Sequence, residues 1–235
     1  MATGRSALAI GGKPGMAGTK AQGDFSVAIG GGAIAGPSAI YGVAMGFDSS
    51  AQQLNSVAVG ANALSSANSA VAVGTRAKAT NINASAFGDG SSASGANAVA
   101  VGSNSSASGA YSIAAGFGAT ASNANTIAAG TFARATYANG VAVGENAYSH
   151  GDRSIAIGKN SNADWYDSIA IGTSAYSARS NSIAIGDLAL AQDASATAMG
   201  ANAQALKNYA TAIGPNSTAR GNSDVVMGYN AQTMG

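Results

Sequence analysis

The chain has 235 residues, only 9% of them charged against about 25% in an ordinary soluble domain, and 33 glycines with abundant Ala, Ser and Asn make up the difference. A formal net charge of +1 supplies no long-range field for a polyanion or an anionic membrane, so nucleic acid is not an expected partner. With aromatic residues at 6% and no cysteine, any core is thin and built from small side chains, and disulfides and thiolate metal sites are excluded.

Residues 1–5 read Met-Ala-Thr-Gly-Arg and lack the apolar stretch of a signal peptide, and no run approaches the ~20 apolar residues of a membrane-spanning helix. Residues 1–46 contain two irregular coils, ending at Gly11 and Gly30, whose extra residues fall at 12–18 and in Gly36-Pro37-Ser38, both of turn composition. From Gly46 a glycine then recurs at a constant fourteen-residue spacing, at 60, 74, 88 and onward to 228, over thirteen intervals without insertion or deletion. Residues 47–228 are therefore thirteen regular coils, and 229–235 are a remnant that leads toward segments outside this chain.

The glycine serves as position 0 of each coil. Positions −3 and −1 are mostly Val or Ile: Val57 and Val59, Val71 and Val73, Val99 and Val101, Val141 and Val143, Ile155 and Ile157, Ile169 and Ile171, Ile183 and Ile185. Position −2 is Ala in every regular coil except the last, where it is Val226. This is a β-branched strand of period two. A second strand follows, with Ala or Ser at +3 and +5 and variable residues at +2, +4 and +6, and positions +7 to +9 carry the Gly, Asn, Asp and Ser of a turn. Two strands and two turns per repeat make one flattened coil, and equal coils stack with every position above its copy at the ~4.8 Å strand spacing. An inserted residue within a strand would turn every later side chain to the opposite face, which accounts for the constant length.

Both faces of the first strand call for burial, and a two-layer coil covers only one. A long Val/Ile stripe exceeds the apolar patch a monomer tolerates, and three such sheets closed around a common axis would hide it. Two arrangements are open: the −3 and −1 columns face that axis while −2, +3 and +5 fill each coil, or the reverse. The first is preferred, because Val and Ile span the gap at a threefold axis better than Ala does.

The units Asn-Ser-Val-Ala-Val-Gly at 55–60 and Asn-Ser-Ile-Ala-Ile-Gly at 181–186, set within the tandem fourteen-residue repeat, resemble the head domain of YadA-like trimeric autotransporter adhesins of Gram-negative bacteria. The resemblance covers essentially the whole chain. It implies a left-handed parallel β-roll, an obligate homotrimer, display at the outer membrane surface, and attachment to host extracellular matrix proteins or cell-surface receptors. The family's neck, coiled-coil stalk and C-terminal β-barrel anchor have no counterpart in the sequence, so membrane attachment is expected through a segment beyond it.

Catalytic chemistry is not expected. His150 is the only histidine, and with Asp152 two residues away it cannot form a relay geometry. The stretch Gly88-Asp89-Gly90-Ser91-Ser92-Ala93 imitates a dinucleotide fingerprint but belongs to the repeat and precedes no helix. The acidic residues do not recur in register, so neither a metal nor a cofactor is expected. Because the inward positions repeat, specificity resides in the variable outward ones, and Tyr137, Tyr148, Trp165, Tyr166 and Tyr176 are the candidate ligand-contact residues. Leu188 and Leu190 occupy outward positions in one coil. Adhesion is the leading function, and a rigid spacer without a ligand of its own is the alternative.

Overall fold

A computed structural model describes residues 1–12 and 18–234. It is an all-β parallel solenoid whose coils follow the repeat, with no helix among the described residues. The turn expected over residues 12–18 falls mainly outside the described residues. Each coil contains a three-residue strand at −3 to −1 and a two-residue strand at +4 and +5, as in Ile155–Ile157 followed by Asn162–Ala163.

The chain comprises two compact units, Met1–Gly118 and Ala119–Gly235. In the first, the three-residue strands from Leu8–Ile10 to Ile113–Ala115 form one parallel sheet and the two-residue strands from Lys20–Ala21 to Ser106–Ala107 form another. In the second, the sheets run from Ile127–Ala129 to Val225–Met227 and from Thr120–Ala121 to Thr218–Ala219. Register is strict within each unit: Val57 pairs with Val71, Ile155 with Ile169, and Ile157 with Ile171. The longer early intervals leave it intact, since Leu8 pairs with Val27 and Val27 with Val43, while Pro37 and Ser38 lie in the wider turn.

The side chains at −2, +3 and +5 point into the coil. In the second unit Ala156, Ala163, Ala170, Ala175 and Ala184 are fully buried, and in the first Ala28, Ala33, Ala35, Ala44 and Ala58 are as well. Two backbones so close together favour the smallest side chains, which is why the core contains alanine and serine in place of leucine, with Val226 of the last coil the exception. The columns at −3 and −1 point away from this core. Val57, Val59, Val71, Val73, Val99, Val141, Ile155, Ile169, Ile171, Ile183 and Ile185 are half-buried, and Val101, Val143 and Ile157 are exposed at 43%, 36% and 38%.

Turns are held by buried hydroxyls. The Ser182 hydroxyl donates to the Arg179 carbonyl at 2.5 Å and that of Ser112 to the Gly109 carbonyl at 2.7 Å, while at the other corner Ser161 donates to Gly158 at 2.9 Å. Gly158 adopts φ +127°, and a Cβ placed on it would lie 2.4 Å from the carbonyl oxygen of Gly172 in the next coil. Both the torsion and the close stacking exclude a side chain there.

Position +2 differs from expectation. It belongs to the turn instead of opening the second strand, and its residues occupy the left-handed region, Asn160 at φ 55° and Leu188 at φ 55°. Asparagine tolerates this conformation, whereas leucine adopts it only under external constraint. The constraint is the stack: the Leu188 amide donates to the Thr173 carbonyl of the preceding coil at 2.9 Å. Leu188 is consequently a corner residue, 53% exposed, while Leu190 lies on the outward face of a strand.

Candidate functional site

The outward face of the second unit carries the aromatic residues singled out by sequence. Position +7 begins the turn after the second strand, and in three successive coils it holds Tyr137, Gly151 and Trp165. A Cβ on Gly151 would meet the Trp165 carbonyl carbon and oxygen at 2.0 Å, so the middle coil presents no side chain there. The gap is a concavity of about 200 Å³ lined by Tyr137, His150, Gly151, Asp152, Asp164, Trp165 and Tyr166.

His150 packs its ring parallel to Tyr148, with centroids 5.0 Å apart, and meets the edge of Tyr137 at 5.3 Å. Trp165 and Tyr166 lie at 6.3 Å and 46° to each other. The guanidinium of Arg134 also lies over the Tyr148 ring, 5.2 Å from its centre, a cation–π contact. Tyr137, Trp165 and Tyr166 are all close to half exposed.

Three of the five candidate contact residues, Tyr137, Trp165 and Tyr166, line this concavity. Tyr148 stands behind His150 and lines no part of it. Tyr176 shares the +4 column with Tyr148, but Asn162 stands between them, pairing with Tyr148 on one side and Tyr176 on the other. Tyr176 instead borders a second concavity of about 470 Å³, together with Arg179, Leu190, Asp193 and Lys207 among others. Its hydroxyl donates to Asp164 Oδ2 at 2.6 Å, and that bond to a carboxylate raises its pKa above the usual phenol value, with burial adding to the shift.

The sequence marks His150 and Asp152 only as a pair unable to form a catalytic relay, and does not single out Asp164. The signal that places them at the site is the alternation Tyr137, Gly151, Trp165 in successive copies of the repeat, which marks an absent side chain between two large ones. Beside it, Arg153 is held by Asp167 through two contacts of 2.7 Å. The hydrogen bond from Arg153 keeps the Asp167 carboxyl below the ordinary carboxylate range. Among the described residues no group of three or more His, Asp or Glu side chains is arranged to hold a metal ion, and no helix is long and apolar enough to cross a membrane.

The architecture has a counterpart among known families. The family model described as YadA head domain repeat (2 copies) matches residues 17–33, 38–63, 65–91, 79–105, 107–133, 138–161, 166–189, 194–217 and 207–231, nearly the whole chain. No curated protein matches the chain.

Proposed function

The chain belongs to the YadA head family, and from that premise we propose that it is the head of a trimeric adhesin at a bacterial cell surface, attaching to host extracellular matrix proteins or cell-surface receptors. The observation that carries the reading is the division of labour in the repeat that defines the family. Positions −2, +3 and +5 are consumed by packing within each coil, the Val/Ile columns are left unshielded, and only the corner and outward second-strand positions vary.

Three copies closing around the −3 and −1 columns would bury Val57, Val59, Val71, Val73, Val99, Val101, Val141, Val143, Ile155, Ile157, Ile169, Ile171, Ile183 and Ile185. Full burial of one Val or Ile side chain is worth about 1.5–3 kcal/mol, so even half that gain at each site, repeated down the columns, favours association strongly. The aromatic surface of the second unit points away from the coil interior and stays free to meet a ligand.

The test is attachment of the purified protein to collagen, fibronectin, laminin and cultured epithelial cells, with its oligomeric state established by light scattering. Saturable attachment to at least one surface is expected. A trimer that attaches to none of them at background-corrected levels contradicts adhesion and favours a spacer role.

A further inference from the structure

The gap at Gly151 lies in a column whose neighbouring copies above and below are aromatic, Tyr137 and Trp165. Tyr137 and Trp165 are two coils apart, roughly 9.6 Å at the ~4.8 Å coil spacing, and Gly151 between them cannot carry a side chain. A flat group from outside that entered this level would have an aromatic residue in the coil on either side of it, with the His150 ring alongside. The geometry points to the side chain of an arginine on a partner polypeptide, seated between Tyr137 and Trp165 and paired with Asp152 and Asp164. The inference rests on the adhesion reading in so far as it names what the partner presents, but the slot itself is testable separately.

Three observations select a guanidinium over a neutral planar group. Two carboxylates, Asp152 and Asp164, line the concavity, and its lining contains no lysine or arginine. Asp152 belongs to the same coil as Gly151 and has no salt-bridge partner among the described residues, while Asp164 uses Oδ2 for the Tyr176 hydroxyl and keeps Oδ1 to accept a further donor. An aromatic ring or a sugar would bring no positive charge to Asp152, which Arg153 meets only through longer-range charge attraction while its guanidinium is bonded to Asp167, whereas an incoming guanidinium pairs with Asp152 directly and stacks on the rings as well. The same surface already accepts a guanidinium in this manner, since Arg134 lies over Tyr148.

The protein's own arginines nearby do not fill the slot. Arg153 is clamped by Asp167, and Arg134 packs over Tyr148, neither of them lining the concavity. The occupant is therefore external. Arginine is favoured over lysine because a planar guanidinium both pairs with a carboxylate through two N–H groups and packs on a ring face, whereas a tetrahedral ammonium offers only a point charge.

Trp165 is the only tryptophan, so its fluorescence reports this slot alone. The intact protein is titrated with Nα-acetyl-arginine methylamide, with the corresponding citrulline compound as a neutral isostere, and with a neutral monosaccharide. A saturable change is expected with arginine only, weakened roughly tenfold or more in Asp152→Asn and in Tyr137→Ala, and unaltered in Asp193→Asn outside the slot. Circular dichroism on each variant establishes that the coils remain folded. No saturable change with arginine, an equal response to citrulline, or a response to the sugar alone overturns the inference. Because the titration uses a small molecule, it can fail while attachment to host surfaces persists, and it can succeed on a protein that attaches to no surface, so the two readings are decided independently.

Discussion

Replacing Gly158 by Ala tests the stacking on which the fold depends. The substitution places a methyl group 2.4 Å from the carbonyl oxygen and 2.7 Å from the carbonyl carbon of Gly172, at a torsion of φ +127°. A non-glycine residue in such a sparsely populated region costs about 1–3 kcal/mol, and forcing an extra methyl group into a packed layer costs about 1–3 kcal/mol more. The sum, about 4 kcal/mol, is a large part of the ~5–15 kcal/mol that stabilises a typical domain. For a chain of this size it lowers the Tm by roughly 8–16 °C. The assay is thermal melting by far-UV circular dichroism at matched protein concentration, because association of copies raises the Tm. Gly12→Ala is the control, since its Cβ would meet nothing within 4 Å, and it should lose no stability. A Gly158→Ala protein that melts within about 2 °C of the parent would show that the glycines do not stack backbone on backbone, and the account of the constant repeat length would fall with it.

Ile157→Asp puts a carboxylate into the outward apolar column at a residue 38% exposed in the single chain; light scattering should report monomer with an unchanged β spectrum, and a folded trimer would remove the −1 column from the interface. Ser182→Ala deletes a buried hydroxyl that donates to the Arg179 carbonyl at 2.5 Å and sits 2.5 Å from the Ser177 hydroxyl, so chemical denaturation should give a loss of about 1–3 kcal/mol, and no change would mean the hydroxyl is dispensable to the turn. Asp167 has its folded pKa lowered by Arg153. Its contribution is therefore present above the unfolded carboxylate value near 3.8 and is lost as pH falls through the lower folded value. Asp167→Asn should accordingly flatten the decline of Tm below about pH 4; since both side chains remain open to solvent, the change is small, and a large loss at neutral pH would contradict this reading.

The columns legible in the sequence are those in which one requirement repeats in every coil. Gly158 and its copies need an unusual torsion and contact with the next backbone, and Ala156 and its copies face a gap only a methyl group wide, so the same identity recurs from coil to coil. Position +2 was not legible, because the left-handed conformation there is imposed by hydrogen bonds between coils and is occupied by Asn160, Phe132 and Leu188 alike. Asn and Gly recur in the column, as at Asn62, Gly90, Asn146 and Asn202, but residues such as Phe132 and Leu188 hide a torsion that the neighbouring coils enforce. The concavity was half legible for a related reason. Aromatic content marked Tyr137 and Trp165, while Tyr148 and Tyr176, which share a column, are kept apart by Asn162, and the participation of His150 depends on how the +6 and +7 columns lie beside each other. Spacing within a column predicts stacking, whereas contact between columns depends on the width and twist of the turn.

The two corners of each coil have different chemical latitude, and this decides where recognition can evolve. The corner at position 0 requires φ between 121° and 137° throughout the regular coils, with a neighbouring backbone pressed against it, so it can display nothing. The corner at +7 is not in the left-handed region, and it carries Tyr137, Trp165, Arg179 and Lys207 in different coils, while the small residue three positions later (Gly140, Ser168, Ser182 or Ala210) completes the turn beneath. Where +7 is not glycine its side chain varies without disturbing the alanine core or the glycine column, whereas at Gly95 and Gly151 a Cβ would meet the backbone of the next coil at 1.9 and 2.0 Å. A binding surface on this scaffold is built from the +7 corner and the +4 and +6 positions beside it, and a glycine at +7 is itself informative, because between two large neighbours it leaves a slot of fixed width.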